Sequence, residues 1–270
     1  MRVTFSLFSS THPLPSISVA TFSVLLGVGI GLPAEKLLLV GLAVLFQQFS
    51  VGLSNDWLDA KRDRAVDRAD KPIAQGRVSP ALVRNASFAS GIIALLVSAT
   101  LGLASLLWMI PMLLIGWAYN LGLKANALSV VPYIIGFGIL PAFVTLSASA
   151  PEIPPVWVMV VAALLGVAAH FANVLPDLIE DRKTSVNALP HILGQRTSAL
   201  VIAMSASTAS FILVIESTSL NPAIALGGLG LTVVLSFLAS VLALNPKPPK
   251  LVFHLLIVAS LVNVIMLMLS

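Results

Sequence analysis

The chain has 270 residues, of which 58% are hydrophobic and only 10% are charged, with a formal net charge of +4. Soluble domains carry about 25% charged residues, so the composition excludes an ordinary soluble domain and indicates a polytopic membrane protein, whose topology rather than nucleic-acid binding accounts for the basic excess. The absence of cysteine excludes disulfides, thiolate nucleophiles and cysteine-ligated metals.

Nine apolar segments are long enough to cross a bilayer, which takes about 20 mostly apolar residues. Turn residues separate them, for example Leu32-Pro33 and Asn221-Pro222. The first segment lacks a clear signal-peptide cleavage site and is followed by further spans, so we predict that it is a transmembrane helix. The predicted spans are 14–32, 36–54, 82–101, 103–121, 128–147, 156–176, 198–216, 222–244 and 251–269.

The basic residues predict the orientation. If the N-terminus is inside, all lysines and arginines except Lys36 fall in cytoplasmic segments, as the positive-inside rule requires. We therefore expect a multi-pass protein with a cytoplasmic N-terminus, and we place it in the bacterial plasma membrane.

The stretch 54–80, after span 2, concentrates the charge, with five aspartates and six basic residues. Asn55, Asp59 and Asp63 are spaced four apart, which puts them on one face of a helix. Carboxylates stacked at the C-terminal end of a helix repel one another and the helix dipole unless cations bind them. The stretch therefore predicts a cation site.

The pattern recurs at a shift of 118 residues (173 − 55 = 118), with a proline and a glycine at matching offsets in both copies. We interpret the chain as one membrane domain, 1–270, with pseudo-repeats at about 14–127 and 128–245 and a ninth helix at 251–269. The expected fold is an all-α membrane protein with nine transmembrane helices in two four-helix pseudo-repeats plus one. Its central cavity would open to the cytoplasm, where both motifs lie. The second copy of the motif is Asn173, Asp177, Asp181 and Arg182.

Carboxylate and amide oxygens are hard ligands that suit Mg²⁺. Two such stripes would bind two Mg²⁺ ions and a diphosphate between them, while an apolar cavity would take a hydrocarbon tail. This combination describes the ionisation of an allylic prenyl diphosphate. The candidate metal ligands are Asn55, Asp59, Asp63, Asp177 and Asp181. The candidate sources of further positive charge are Arg64, Arg68, Lys71, Lys124, Arg182 and Lys183.

These motifs resemble those of the UbiA-type intramembrane prenyltransferases. The family's first motif, NDxxDxxxD, corresponds to residues 55–63, and its second, DxxxD-like motif corresponds to 177–181. The resemblance includes residues that follow these motifs and a Tyr…Lys pair after span 4. These are Lys71-Pro72, Gly76, Gly194, Tyr119 and Lys124.

The resemblance implies a nine-helix enzyme that transfers a prenyl group from its diphosphate to an acceptor, often an aromatic compound or quinone precursor, with Mg²⁺ as cofactor. Asn55, Asp59, Asp63, Asp177 and Asp181 would then handle Mg²⁺-diphosphate. Lys124 and Arg68 would contact phosphate, Tyr119 and Asn120 would face the acceptor or the emerging cation, and Asn173 would bind substrate. Members that prenylate aromatic acids carry an arginine near the start of span 1. This chain has Thr11-His12-Pro13 there, so the acceptor is left unassigned.

Other interpretations stay open. Charged cytoplasmic loops are commonly only solvated, and parallel repeats also suit a transporter, although the acidic residues gather on one face rather than along a path. Within the family, a lipid acceptor or internal cyclisation is an alternative. Asp56, Asp67 and Asp70 fit salt bridges in a solvated loop as well as positions behind the metal ligands. His12 and His170 fit either a cavity lining or a structural role.

Overall fold

The computed structural model describes residues 2–178 and 186–270. Within these ranges the chain forms α-helices and short 3₁₀ turns, and no strand. The helices are α1 Arg2–Ser9, α2 Pro13–Gly29, α3 Ala34–Ala65, α4 Pro80–Leu101, α5 Leu103–Leu121, α6 Val131–Thr145, α7 Val156–Val174, α8 Leu189–Glu216, α9 Pro222–Ala243 and α10 Leu251–Met268.

Each predicted span coincides with one helix from α2 to α10. In the described chain, eight helical segments are long and apolar enough to cross a membrane. A ninth span results if the bent pair Val3–Ser9 and Pro13–Gly29 counts as one, with a 59° angle between its two parts. The protein is therefore an all-α, multi-pass membrane protein, as predicted. The short helix α1 is an addition that the hydropathy pattern does not indicate.

Helix α3 is much longer than the predicted span 36–54. Its 32 residues extend about 48 Å, whereas the hydrocarbon core of a bilayer is about 30 Å thick. The charged residues of its last turns end the apolar run but not the helix. It ends only at Ala65, and Asp67 then takes a left-handed conformation (φ 50°) that turns the chain.

The helices form a closed ring. Each helix from α2 to α10 packs against the next one in the chain, and α10 packs against α2. One core cluster joins residues of the first helices, such as Val44 and Phe143, and a second joins residues of the last helices, such as Phe171 and Leu256. A small third cluster, which includes Leu53 and Ile73, holds the loop after α3 against the helix.

The second motif does not continue as an α-helix. Helix α7 ends at Val174, and Leu175–Asp177 form a 3₁₀ turn. Pro176 explains this change, because proline has no backbone N–H to extend the α-helical hydrogen bonds. The expectation of an α-helical stripe is therefore wrong at Asp177, although Asn173 and Asp177 still line the same cavity.

Candidate active site

A cavity of about 510 Å³ lies within the ring of helices. Charged and amide side chains from the helix ends line one part of it. Apolar side chains from mid-helix positions line the remainder, among them Phe22, Met112, Phe137, Leu140 and Ile257. The cavity therefore combines a polar site with an apolar chamber.

The polar face of α3 forms one wall of this site. Asn55, Asp59 and Asp63 all line the cavity, as their spacing predicts for one helix face. Both aspartates are buried, with 7% of Asp59 and 3% of Asp63 exposed. Carboxylates held so far from water need cations beside them.

Asp59 is paired with two cations. Lys124 Nζ donates to Asp59 Oδ2 at 2.6 Å, and Arg62 Nη2 donates to the same oxygen at 2.8 Å. Lys124 belongs to a 3₁₀ turn, Leu123–Ala125, that follows α5. The Lys124 side chain is buried. Burial lowers the pKa of the Lys124 ammonium, and the adjacent Asp59 carboxylate opposes this shift. Lys124 and Arg62 thus bring two basic groups to one carboxylate in the cavity lining.

Asp63 differs from Asp59 in its partners. Its Oδ2 is buried, and no group in the described parts of the chain donates a hydrogen bond to it. A buried carboxylate oxygen without a donor is costly for the protein alone. It is the oxygen best suited to receive an added cation.

Arg68 joins the first motif to the second. Its guanidinium donates two hydrogen bonds to Asp70, at 2.9 and 3.0 Å, and lies 3.6 Å from Asp177. The hydrogen bond with Asp70 raises the pKa of Arg68 and lowers the pKa of Asp70 to about 2. Lys250, the residue before α10, approaches Asp70 at 4.0 Å, so the start of the last helix also reaches this part of the cavity.

Asp56 points to a different side of α3. It is 3% exposed and does not appear among the described residues that line the cavity. Lys71 Nζ donates to Asp56 Oδ1 at 2.6 Å, and His12 Nε2 lies 2.9 Å from the same oxygen. His12 and Lys71 do line the cavity. Of the two roles left open for Asp56, the structure therefore favours a salt bridge, here buried rather than solvated.

Aromatic side chains surround the space beside the polar wall. Tyr119 and Tyr133 meet edge to face with ring centroids 5.4 Å apart, and Phe137 stacks on Tyr133 at 6.0 Å. Asn173 Nδ2 lies 3.5 Å from the Tyr133 hydroxyl. His170 is fully buried behind these rings, where Ser129 Oγ lies 3.0 Å from its Nε2. His170 thus supports the cavity wall from outside.

Asn120 has a supporting role in the wall. Its Nδ2 donates to the Val51 carbonyl and to Ser54 Oγ, both at 2.8 Å, and its Oδ1 accepts from Asn55 Nδ2 at 3.1 Å. Asn120 is 5% exposed but still lines the cavity. It therefore connects α5 to α3 and orients Asn55.

The structure brings together most of the predicted site residues. Arg64 is the exception among those described, since it is exposed, lies outside the cavity lining and donates to the Ile73 carbonyl at 3.4 Å. Asp181, Arg182 and Lys183 lie outside the described residues. The predicted residues that line the cavity are Asn55, Asp59, Asp63, Arg68, Lys71, Tyr119, Asn120, Lys124, Asn173 and Asp177.

Three residues that line the cavity were not predicted from the sequence as site residues. Arg62 pairs with Asp59, and its i,i+3 spacing was a usable signal. Tyr133 and Lys250 come from elements far along the chain, and no local pattern marks them.

The donor set fits a hard divalent cation. It supplies carboxylate and amide oxygens, one of which, on Asp63, is buried without a donor from the described residues. Asp59 and Asp177 are instead engaged by Lys124, Arg62 and Arg68. Across residues 2–178 and 186–270, no three His, Asp or Glu side chains gather as a ready-made metal site. Metal binding would therefore accompany an exchange of these ion pairs.

Comparisons with known proteins agree with this geometry. The family model of the UbiA prenyltransferase family matches residues 16–262. A search of curated proteins finds no match.

Solved structures share the fold across the whole chain. A UbiA homolog from Aeropyrum pernix K1 is 18% identical with a TM-score of 0.75, covering 97% of this chain and 96% of that one. A UbiA homolog from Archaeoglobus fulgidus bound to GPP and Mg²⁺ is 16% identical with a TM-score of 0.73, covering 96% and 99%. A digeranylgeranylglyceryl phosphate synthase is 17% identical with a TM-score of 0.68, covering 100% and 98%.

Proposed function

Because the chain belongs to the UbiA prenyltransferase family, we propose that it transfers a prenyl group from an allylic prenyl diphosphate to an acceptor within the membrane. One observation carries the proposal. The carboxylates of Asp59, Asp63 and Asp177 and the cations of Lys124 and Arg68 line one cavity, which continues into an apolar chamber. A diphosphate with a hydrocarbon tail matches both parts.

The polar part would hold the diphosphate. Lys124 and Arg68 are cations inside it, and each now neutralises an aspartate of one motif. A diphosphate would compete with the aspartates for these cations and would leave the carboxylates available to hold two Mg²⁺ ions. The residues that would hold Mg²⁺ are Asn55, Asp59, Asp63, Asp177 and Asp181. When bound, Mg²⁺ neutralises diphosphate charge and so makes diphosphate a better leaving group.

The protein's own groups would direct the reaction. Lys124 and Arg68 hold the diphosphate as the bond between its oxygen and prenyl C1 breaks, and the electron pair leaves with that oxygen. The faces of Tyr119 and Tyr133 are electron-rich and would attract the positive charge that develops on the prenyl group. The apolar chamber excludes water, so that the acceptor rather than water bonds to C1.

The proposal also covers the donor, the class of acceptor and the membrane in which the protein lies. A relative's structure holds GPP and Mg²⁺, which supports a prenyl diphosphate donor here. The aromatic lining suits a small hydrophobic or aromatic acceptor such as a quinone precursor. The distribution of lysine and arginine supports a cytoplasmic N-terminus and active site. The membrane that we propose for it is a bacterial plasma membrane.

Donor binding tests the proposal. Purified protein in detergent should bind geranyl diphosphate in calorimetry only when Mg²⁺ is present, and Asp59→Asn should weaken this binding at least about tenfold through loss of a carboxylate ligand. Asp67→Asn is the matched control, because Asp67 is exposed and lies outside the cavity lining. Folded protein that binds no donor with Mg²⁺ would contradict the proposal and favour the transport alternative.

A further inference from the structure

Buried Asp56 forms a cluster with Lys71 and the partly exposed His12. This cluster lies beside the diphosphate site, and the proposed function gives it no role so far. We propose that His12 is the catalytic residue that takes the proton from a neutral, hydroxyl-bearing acceptor, and that Asp56 and Lys71 position it. The inference rests on the proposed prenyl transfer and adds the acceptor class and the proton acceptor.

Backbone strain marks the position of His12. Its φ is 52°, a left-handed conformation that costs a residue with a Cβ free energy, and it forms the N-cap of α2 without a side-chain capping bond. Gly52 of α3 permits the close approach of this turn. A Cβ at Gly52 would lie 2.6 Å from the Thr11 carbonyl oxygen and 3.3 Å from His12 Cδ2. Two local features therefore fix His12 against α3.

The contacts of the ring define its free nitrogen. An ionised carboxylate only accepts hydrogen bonds, so the 2.9 Å contact with Asp56 places a proton on His12 Nε2. Lys71 Nζ lies 3.4 Å from the same nitrogen, a longer contact than the one with Asp56, and it does not donate to Nε2 in this tautomer. The neutral ring then carries its lone pair on Nδ1. The Nε2 and Cδ2 edge faces α3, which directs Nδ1 away from that helix, and no described residue hydrogen-bonds to Nδ1. Because His12 lines the cavity, this nitrogen is available to an acceptor.

The charges nearby favour a neutral acceptor. Lys71 is already neutralised by Asp56 at 2.6 Å. Lys250 is another cation that lines the cavity, and it approaches Asp70 at 4.0 Å. Of these two cations, Lys71 is the one that contacts His12, and its carboxylate partner leaves it poorly placed to hold the carboxylate of an acceptor. A hydroxyl needs only the lone pair of Nδ1.

His12 also lies at the right level of α3. Gly52 and Asp56, which it contacts, precede Asp59 and Asp63 by about one to three turns, or roughly 5–17 Å along the axis. This places His12 toward the membrane-embedded part of α3 relative to the diphosphate residues, where prenyl C1 would lie.

The step balances without another reactant. The C1–O bond breaks and its electron pair leaves with diphosphate. The acceptor's hydroxyl proton moves to His12 Nδ1. For transfer to oxygen, the electron pair of that O–H bond forms the new bond to C1. For transfer to a conjugated ring carbon, that pair forms a C=O bond, a π pair of the ring bonds to C1, and the proton of the ring C–H then moves to the oxygen as the ring regains its aromaticity. His12 then returns the proton to solvent.

The test compares transfer with donor binding in His12→Asn. Asparagine tolerates the left-handed conformation and can donate to a carboxylate, but it cannot take the proton. With geranyl diphosphate, Mg²⁺ and the neutral probes methyl 4-hydroxybenzoate, 1-naphthol and 1-octanol, we expect transfer to at least one probe. We expect that transfer to fall at least about 100-fold in His12→Asn while calorimetric donor binding stays within about twofold.

The acid 4-hydroxybenzoate is the matched probe, since it differs from its methyl ester by the carboxylate charge. We expect slower transfer to the acid than to the ester. Transfer to no neutral probe, faster transfer to the acid, or unchanged transfer in His12→Asn would overturn the inference. In each of these cases the wild type is also tested for donor binding. If it binds geranyl diphosphate in the presence of Mg²⁺, only the inference about His12 fails. If it binds no donor, the proposed function itself fails.

Discussion

At the scale of single residues, the site is a set of buried carboxylates with unequal partners. Asp59 shares its oxygen between Lys124 and Arg62, Asp56 is held by Lys71, and Asp63 keeps a buried oxygen to which no described residue donates. A cation that reaches the cavity would stabilise Asp63 more than the other two aspartates. No described residue donates to the buried Oδ2 of Asp63, so the cation would not have to displace a donor there.

Asp63→Asn should separate stability from binding. The substitution removes an uncompensated buried charge, so the melting temperature without Mg²⁺ should stay equal or rise. Mg²⁺-dependent binding of geranyl diphosphate should fall at least about tenfold, because an anionic ligand is lost. Thermal unfolding and calorimetry in detergent measure the two effects. A lower melting temperature with unchanged donor binding would show that Asp63 is structural.

The Arg68–Asp70 pair predicts a dependence on pH. Its hydrogen bonds hold the pKa of Asp70 at about 2, below the ordinary value of 3.8. A depressed carboxyl pKa contributes stability that is present above pH 3.8 and is lost as the pH falls through about 2. Because the Asp70 side chain is 47% exposed, the contribution should stay below about 1 kcal/mol.

The measurement is the difference in melting temperature between wild type and Asp70→Asn as a function of pH. It should be constant between about pH 5 and 8, where only the wild type is charged at this position, and it should shrink below pH 3.8. A difference that instead grows with acidification would contradict the assignment.

At the scale of elements, close helix approach positions the site. Gly52 lets the turn before α2 approach α3, and Gly116 lets α5 approach Val51 of α3, since a Cβ there would lie 2.5 Å from that side chain. Both contacts lie within a turn or two of Asn55. The geometry of the polar wall therefore depends on residues that carry no chemistry themselves.

Gly52→Ala should destabilise the protein by about 1–3 kcal/mol, because its Cβ would lie 2.6 Å from the Thr11 carbonyl oxygen and force the helices apart. Gly227→Ala in α9 is the matched control, since a Cβ at that position would meet no atom within 4 Å among the described residues. Thermal unfolding should show a loss for the first variant and no loss for the second. Equal melting temperatures would refute tight packing at Gly52.

Much of the arrangement of the helices could be predicted from the sequence. The features that could not be predicted have physical reasons. Apolar runs located the spans because bilayer thickness fixes their length. The same criterion ended span 2 near residue 54, although α3 continues to Ala65, because hydropathy measures membrane burial and not helix formation. The spacing of Asn55, Asp59 and Asp63 predicted their common face. The pairing of His12 with Asp56 joins residues 44 apart in the chain, and no local spacing encodes such a contact.

At the scale of the whole molecule, the helices form a ring with one core cluster in each half and the cavity between them. Arg68 and Asp177 connect the two motifs across this cavity at 3.6 Å. The division of the chain into two pseudo-repeats stays a prediction.

The orientation can be tested directly because the chain has no cysteine. Single variants Ser219→Cys and Lys247→Cys place a thiol in the loops on either side of α9, and both positions are exposed. In intact cells, a membrane-impermeant maleimide should label Ser219→Cys but should label Lys247→Cys only after permeabilisation. The reverse pattern would contradict a cytoplasmic active site.

The most direct measurement of the central claim is diphosphate release from labelled prenyl diphosphates of several lengths, with and without Mg²⁺, in wild type, Asp59→Asn and Asp177→Asn. A site built from both motifs predicts Mg²⁺-dependent release that falls at least about 100-fold in each variant. Release that is independent of Mg²⁺, or that persists in either variant, would contradict a shared two-motif site.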